Sequence, residues 1–206
     1  MKHSNIEEGL GLERREGPER RRGDGEEPLR LVRPSGEYRE AYLDFYREWK
    51  ESGETIVPWV VDRDPVDFEA YLLFLEGMEK REGLPENGVP SSTFWLVGRT
   101  RRVLGAVNLR HELNEWLLQS GGHIGYGIRP SQRGRGYAAV QLALALEQAR
   151  ERGIPRCLVV CDRDNLPSER TIRRCGGERD EDYTEEDGNV IRRFWIGTGG
   201  KGGLSY

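Results

Sequence analysis

The residues best suited to chemistry run from Gly125 to Ala139, where four glycines and three arginines fall within fifteen positions. Glycines leave backbone N–H groups unshielded, and the segment leads from a strand pattern into a helix pattern, so those groups meet the positive end of a helix dipole. Arg129, Arg133 and Arg135 add full charges. Oriented N–H groups beside cations form a site for a phosphate or pyrophosphate, which a bulky side chain at Gly134 or Gly136 would obstruct. A Walker loop, G-x-x-x-x-G-K-S/T, is absent. Gly134, Gly136 and Ala139 satisfy G-x-G-x-x-A, and Asp162 at the end of the next strand could stand in for a ribose-binding acid. A dinucleotide fingerprint, however, places its first glycine at the tight turn closing the strand. Here residues 129–133 intervene, and no second βαβαβ half follows.

The elements that must position this segment can be read from periodicity. Leu29 to Val32 alternates into the turn Pro34-Ser35-Gly36, a first strand. Tyr38, Tyr42, Phe45 and Trp49 recur at helical spacing and predict a helix over about 36–51; Phe68, Leu72, Leu75 and Met78 predict a second over about 65–82. Residues 93–97 and 103–113 read as an antiparallel hairpin, and 123–129 as the strand entering the glycine-rich segment. Tyr137 to Arg152 is a long Ala/Leu-rich helix stopped by Gly153 and Pro155. Cys157 to Cys161 is a near-continuous apolar run, as in a strand buried on both faces. A short helix over 165–175 and a last strand over 190–196 follow. The expectation is a mixed α/β fold, a central sheet of six to seven strands with flanking helices and one central βαβ crossover.

Read as Q/R-x-x-G-x-G/A, the residues Arg133, Gly136 and Ala138 match the acyl-CoA pyrophosphate loop of the GNAT superfamily of N-acyltransferases, which the chain resembles over almost all of 29–197 in element order as well. The blocks 108–114, 121–130 and 161–165 are similar to a bacterial subgroup of that superfamily. The resemblance implies acetyl-CoA as cosubstrate. Arg133, Gly134, Arg135, Gly136, Tyr137 and Ala138 would hold the diphosphate through the backbone; the strand at Tyr126, Gly127 and Ile128 would pair with pantetheine; Asn165 and Ser168 would meet the thiol-side arm. Alternate glycines at 125 and 127 suit a flat ligand, or else mark a kink.

One departure stands out. Where many members carry a tyrosine seven residues after the asparagine to protonate the departing thiolate, this chain has Ile172. Solvent, Cys161, Cys175 or Tyr126 would have to serve instead. The base that deprotonates the attacking amine needs a pKa near working pH or a relayed water. His111 shares a strand face with Val103, Val107 and Leu109 and reads as a core residue, which leaves Glu112 and His123 as the expected catalytic pair. Glu112 is as readily explained by an ion pair with Arg110 or Arg129.

Composition bounds the rest. With 32 basic and 36 acidic side chains and a net charge of −4, the chain lacks the basic excess of a nucleic-acid reader. No apolar run is long enough to span a bilayer, and three cysteines with no C-x-x-C pair imply reduced thiols in a cytoplasmic setting and no metal site. Residues 1–28, with 14 charged side chains, read as a flexible leader, and 198–206 as a flexible tail, leaving 29–197 as the domain. The expected function is acetyl transfer from acetyl-CoA to a primary amine of a small molecule or peptide, with no nucleic acid or membrane partner and with a homodimer left open. The alternative is a catalytically silent GNAT-fold module that binds acyl-CoA as sensor or scaffold.

Overall fold

The computed structural model describes residues 29–199. The expected leader at 1–28 and most of the expected tail lie outside those residues. Thr198 lies inside them: it is buried, its N–H donates to the Pro155 carbonyl at 3.0 Å and its hydroxyl to that of Ile154 at 2.6 Å, so packed chain reaches one residue past the expected boundary.

The order is β1 (Arg30–Val32), α1 (Arg39–Ser52, entered through a 3-10 turn at Gly36–Tyr38), α2 (Phe68–Gly77), β2 (Ser91–Val97), β3 (Val103–Arg110), β4 (Ile124–Ile128), α3 (Tyr137–Glu151), β5 (Arg156–Asp162), α4 (Leu166–Arg174), β6 (Glu178–Arg179), β7 (Tyr183–Thr184) and β8 (Val190–Gly197). The mixed α/β architecture is as expected, with helices flanking antiparallel strands. It is built as two four-stranded sheets in place of one: β1-β2-β3-β4, and β5-β8-β6 with β7 also on β8. Two short strands raise the count to eight. Two-residue strands are too brief to show any alternation, and the parting of β4 from β5 leaves no periodic mark.

Each face of the first sheet carries its own helical layer. On one face α1 buries Tyr42, Phe45 and Trp49, with Tyr42 stacked on Trp95 at 4.4 Å and on Tyr71 of α2 at 5.2 Å between ring centroids. The other face receives Leu142, Ala145 and Ala149 of α3 against Val107, Leu109 and Ile124, and the same cluster continues into Cys157, Val159 and Phe194 of the second sheet. Helix α2 is shorter than expected: Asp67 caps its start, accepting the Ala70 N–H at 3.0 Å, and Met78, the last residue of the apolar stripe, is its C-cap. Between β3 and β4 a π-helical turn, Leu117–Gly121, forms without a periodic pattern to announce it.

Gly127 has no room for a side chain: a Cβ there would overlap the Trp49 ring and the Val57 carbonyl. At Gly127 this face of β4 is filled by the protein itself, which corrects the expectation that Gly127 leaves space for a ligand. At Gly125 a Cβ would make only ordinary contacts, to Pro58 at 3.4 Å and to the Arg110 guanidinium at 3.9 Å. Gly127→Ala is expected to destabilise the fold by about 1–3 kcal/mol through overpacking. Gly134→Ala, whose Cβ would meet nothing within 4 Å but whose φ is +76°, should cost only about 1 kcal/mol. Urea midpoints of the two variants check the order.

Candidate active site

Strand β4 is paired on one edge only. Its ladder to β3 runs from Ile124 opposite Leu109 to Ile128 opposite Gly105, and among the described residues the other edge carries no ladder. The neighbouring strand on that side is β5, and the two touch where β4 begins. There the His123 N–H donates to the Leu158 carbonyl at 2.7 Å, and His123 Nδ1 accepts the Leu158 N–H at 2.9 Å. From this pin the strands part.

A cavity of about 720 Å³ opens at the parting. Tyr126 of β4 and Val160, Cys161 and Asp162 of β5 line it, together with Asn165 and Ser168 at the start of α4. Its floor is the α1/α2-side face of the first sheet, where Ser91, Asn108 and Arg110 lie, and Trp59, Phe74, Met78 and Trp116 wall its mouth. Asn165 caps α4, its Oδ1 accepting the Ser168 N–H at 3.1 Å. The Tyr126 hydroxyl sits 3.0 Å from Ser168 Oγ. Burial raises the Tyr126 pKa, the Ser168 hydrogen bond only partly opposing it, and pushes the Cys161 thiol up to about 11, so both groups keep their protons at neutral pH.

At its far end β4 enters the glycine loop. Gly134 and Gly136 have φ of +76° and +79° and open space where a Cβ would stand, and Gly136 begins α3 with no side-chain cap. The first N–H groups of α3 therefore face outward without a side-chain acceptor. Arg135 is exposed and pairs with nothing among the described residues, whereas Arg133 reaches Glu54 at 2.6 Å and lies over the Trp49 ring. Arg129 is turned inward: it is 1% exposed and pairs with Asp44 and Glu48 of α1. Glu48 also accepts the Ser131 N–H at 2.8 Å, which ties the loop to α1. Burial works against ionising Glu48, but the bonds from Ser131 and Arg129 outweigh it and hold the carboxyl below its ordinary range.

Neither expected base lies in the cavity wall. Glu112 pairs with Arg81, neither Arg110 nor Arg129, and is absent from the lining. His123 has Nδ1 occupied by the Leu158 N–H, which puts the proton of the neutral ring on Nε2, and its ring lies edge-on to Trp195. Burial, with the nearby Arg110 charge, lowers its pKa from 6.5 to about 4. Asp162 is the one carboxylate among the lining residues; its Oδ1 accepts from Asn189 Nδ2 at 2.9 Å. In the sequence Asp162 carries no signal beyond its place at the end of the buried strand, where it reads as a ribose mimic. Ile172 is fully buried in the core. Among the described residues no cluster of His, Cys, Asp and Glu could hold a metal ion, and no helix is long and apolar enough to cross a membrane.

The profile of the acetyltransferase (GNAT) domain matches residues 29–178. No curated protein sequence matches the chain. Among solved structures, a protein of Bordetella pertussis assigned to the GnaT family superposes with a TM-score of 0.57 at 18% identity, covering 84% of this chain and 97% of its own. A spermidine N-acetyltransferase, the SpeG F149A mutant from Vibrio cholerae, gives 0.56 at 15% identity over 83% and 95%. The microcin C7 self-immunity acetyltransferase MccE, solved with acetyl-CoA and AMP, gives 0.57 at 16% identity over 81% and 91%.

The His123 pin predicts a pH dependence. Its folded-state pKa lies below the unfolded value, so the unfolded chain binds the proton first, and the stability the neutral ring contributes above about pH 6.5 is lost as pH falls toward about 4. His111, also lowered to about 4, acts in the same sense. The urea midpoint should drop between pH 7 and 5, and His123→Gln should show a smaller drop than the native chain.

Proposed function

The chain belongs to the GNAT acetyltransferase family and is an acyl-CoA-dependent N-acetyltransferase; from that premise we propose that it acetylates a primary amine by direct attack on acetyl-CoA in a ternary complex, with the parted β4–β5 pair as the coenzyme cleft. The observation that carries this reading is the unpaired edge of β4, which leads from the cavity to the outward-facing N–H groups at Gly136. An amide-bearing pantetheine arm can pair with such an edge as a strand would. The residues present fit the coenzyme: the uncapped start of α3, the open space at Gly134 and Gly136 and the exposed Arg135 favour a diphosphate. Tyr126, Gly127 and Ile128 would offer backbone groups to the arm, and Asn165 and Ser168 would face its thiol end. Tyr137 and Ala138 would contribute N–H groups of the first helical turn.

The bound thioester supplies an acyl carbon with a good leaving group. In the transfer the amine nitrogen bonds that carbon, the C–S bond breaks, the nitrogen loses a proton and the sulfur gains one. Asp162 would take the first proton, directly or through a water, since the cavity wall holds no other carboxylate. Tyr126, hydrogen-bonded to Ser168, would return the second in place of the tyrosine that Ile172 replaces. Solved relatives of this fold include an enzyme acting on spermidine and one holding acetyl-CoA, so amine acetylation is within its repertoire.

Acetyl-CoA should bind with micromolar affinity or tighter, and Gly136→Glu, which sets a carboxylate against the diphosphate, should abolish binding in calorimetry. Tyr126→Phe should bind coenzyme normally but lower kcat about 100-fold. Coenzyme binding without CoA release across a wide amine panel would instead favour the silent-module reading, which the buried Ile172 motivates.

A further inference from the structure

The two buried arginines of the first sheet are treated differently. Arg129 meets two carboxylates. Arg110, 9% exposed at the end of β3, meets none among the described residues: its hydrogen bonds are to the carbonyls of Gly121 at 2.8 Å and Gly122 at 3.0 Å, both through Nη1. Burial pulls the guanidinium down to about 10, still charged at neutral pH. A desolvated cation satisfied only by carbonyl dipoles lacks its natural complement, an oxyanion.

Its surroundings are polar and incompletely paired. Ser91, Thr93, Asn108 and Arg110 share one face of the sheet, since Ser91 is opposite Arg110 and Thr93 opposite Asn108. The Asn108 amide is fully buried; Nδ2 donates to Ser91 and Thr93, and Oδ1 has no partner. Because both hydroxyls can donate or accept, turning the amide over would leave its NH2 end unpartnered in the same way. Ser120 Oγ, also on the cavity wall, has no partner either. A Cβ at Gly125 would stand 3.9 Å from both Nη atoms of Arg110, so the strand that edges the cleft is stripped of bulk beside the cation. The single carboxylate of the lining, Asp162, belongs to β5 and is bonded to Asn189. Trp59, Phe74, Met78 and Trp116 add an apolar wall.

Resting on the transferase reading above, we propose that the acetyl acceptor carries an oxyanion, a carboxylate or a phosphate, besides its amine, and that Arg110 and the NH2 of Asn108, its amide turned over, donate to that group on the cavity floor. Such an acceptor is an amine with an apolar body and one anionic end. A polyamine is disfavoured, because each further ammonium would approach the Arg110 charge. The carbonyl bonds of Arg110 also hold the 121–122 turn, so the test must read charge preference and not fold.

The probes are two matched pairs of acetylated compounds, N-acetylphenylalanine against N-acetylphenylalaninamide and N-acetyl-O-phosphoethanolamine against N-acetylethanolamine, titrated into the full chain without coenzyme and again with saturating CoA. In at least one pair the native protein should bind the anionic member ten-fold or more tightly, and the pair that does so identifies the oxyanion. Arg110→Gln should bring that ratio to about one. Asn108→Asp, which places a counter-ion inside the floor and leaves Arg110 in place, should do the same. Ratios near one in both pairs for the native chain, or a preference that survives both substitutions, would overturn the proposal. A flat acetyl-CoA isotherm would instead overturn the transferase reading, and the ratio without coenzyme still tests the floor by itself.

Discussion

A β-strand with one free edge holds a row of N–H and C=O groups that must find partners in water, in another chain or in a ligand. Strand β4 is in that position near the middle of the molecule, because β5 joins it at His123–Leu158 and then turns away. The rest of the site follows from this parting. It opens the cavity, exposes Tyr126 and Cys161 to it, and leaves an edge pointing from the cavity to the start of α3. The His123 ring takes the place of a further ladder bond at the point of closure, and that bond fixes its tautomer.

The two arginines at opposite ends of the first sheet show how the same side chain is put to different uses by its counter-charges. Arg129 is locked between Asp44 and Glu48, and through Glu48 and Ser131 it fastens the glycine loop to α1. Removing it would free two partly exposed carboxylates and the loop together. Arg110 has no such complement among the described residues and faces the cavity. An interior that neutralises one cation and leaves the other to carbonyls separates a structural charge from one directed at a ligand.

Much of this was legible in the sequence. The glycine loop, the helical spacing of Tyr42, Phe45 and Trp49 and the apolar run of β5 are local patterns, and local patterns survive folding. What the sequence does not show are relations between distant segments. Nothing local to Glu112 announces that Arg81, thirty-one residues away, pairs with it. Gly127 looked like space for a ligand because nothing in the sequence says that Trp49 and the Val57 carbonyl fill it. His123 has the right chemistry for a base, but only the fold sets the Leu158 N–H against its nitrogen. The polar floor of Ser91, Thr93, Asn108 and Arg110 arises from register between two strands, which periodicity does not fix.

The most direct measurement is an amide NMR titration of the full chain with CoA. The account predicts that the largest shifts fall on Arg133 to Ala138 and on the free edge of β4, Tyr126 to Ile128, with β1 and β2 undisturbed. Shifts confined to other segments, or none at saturating CoA, would contradict it.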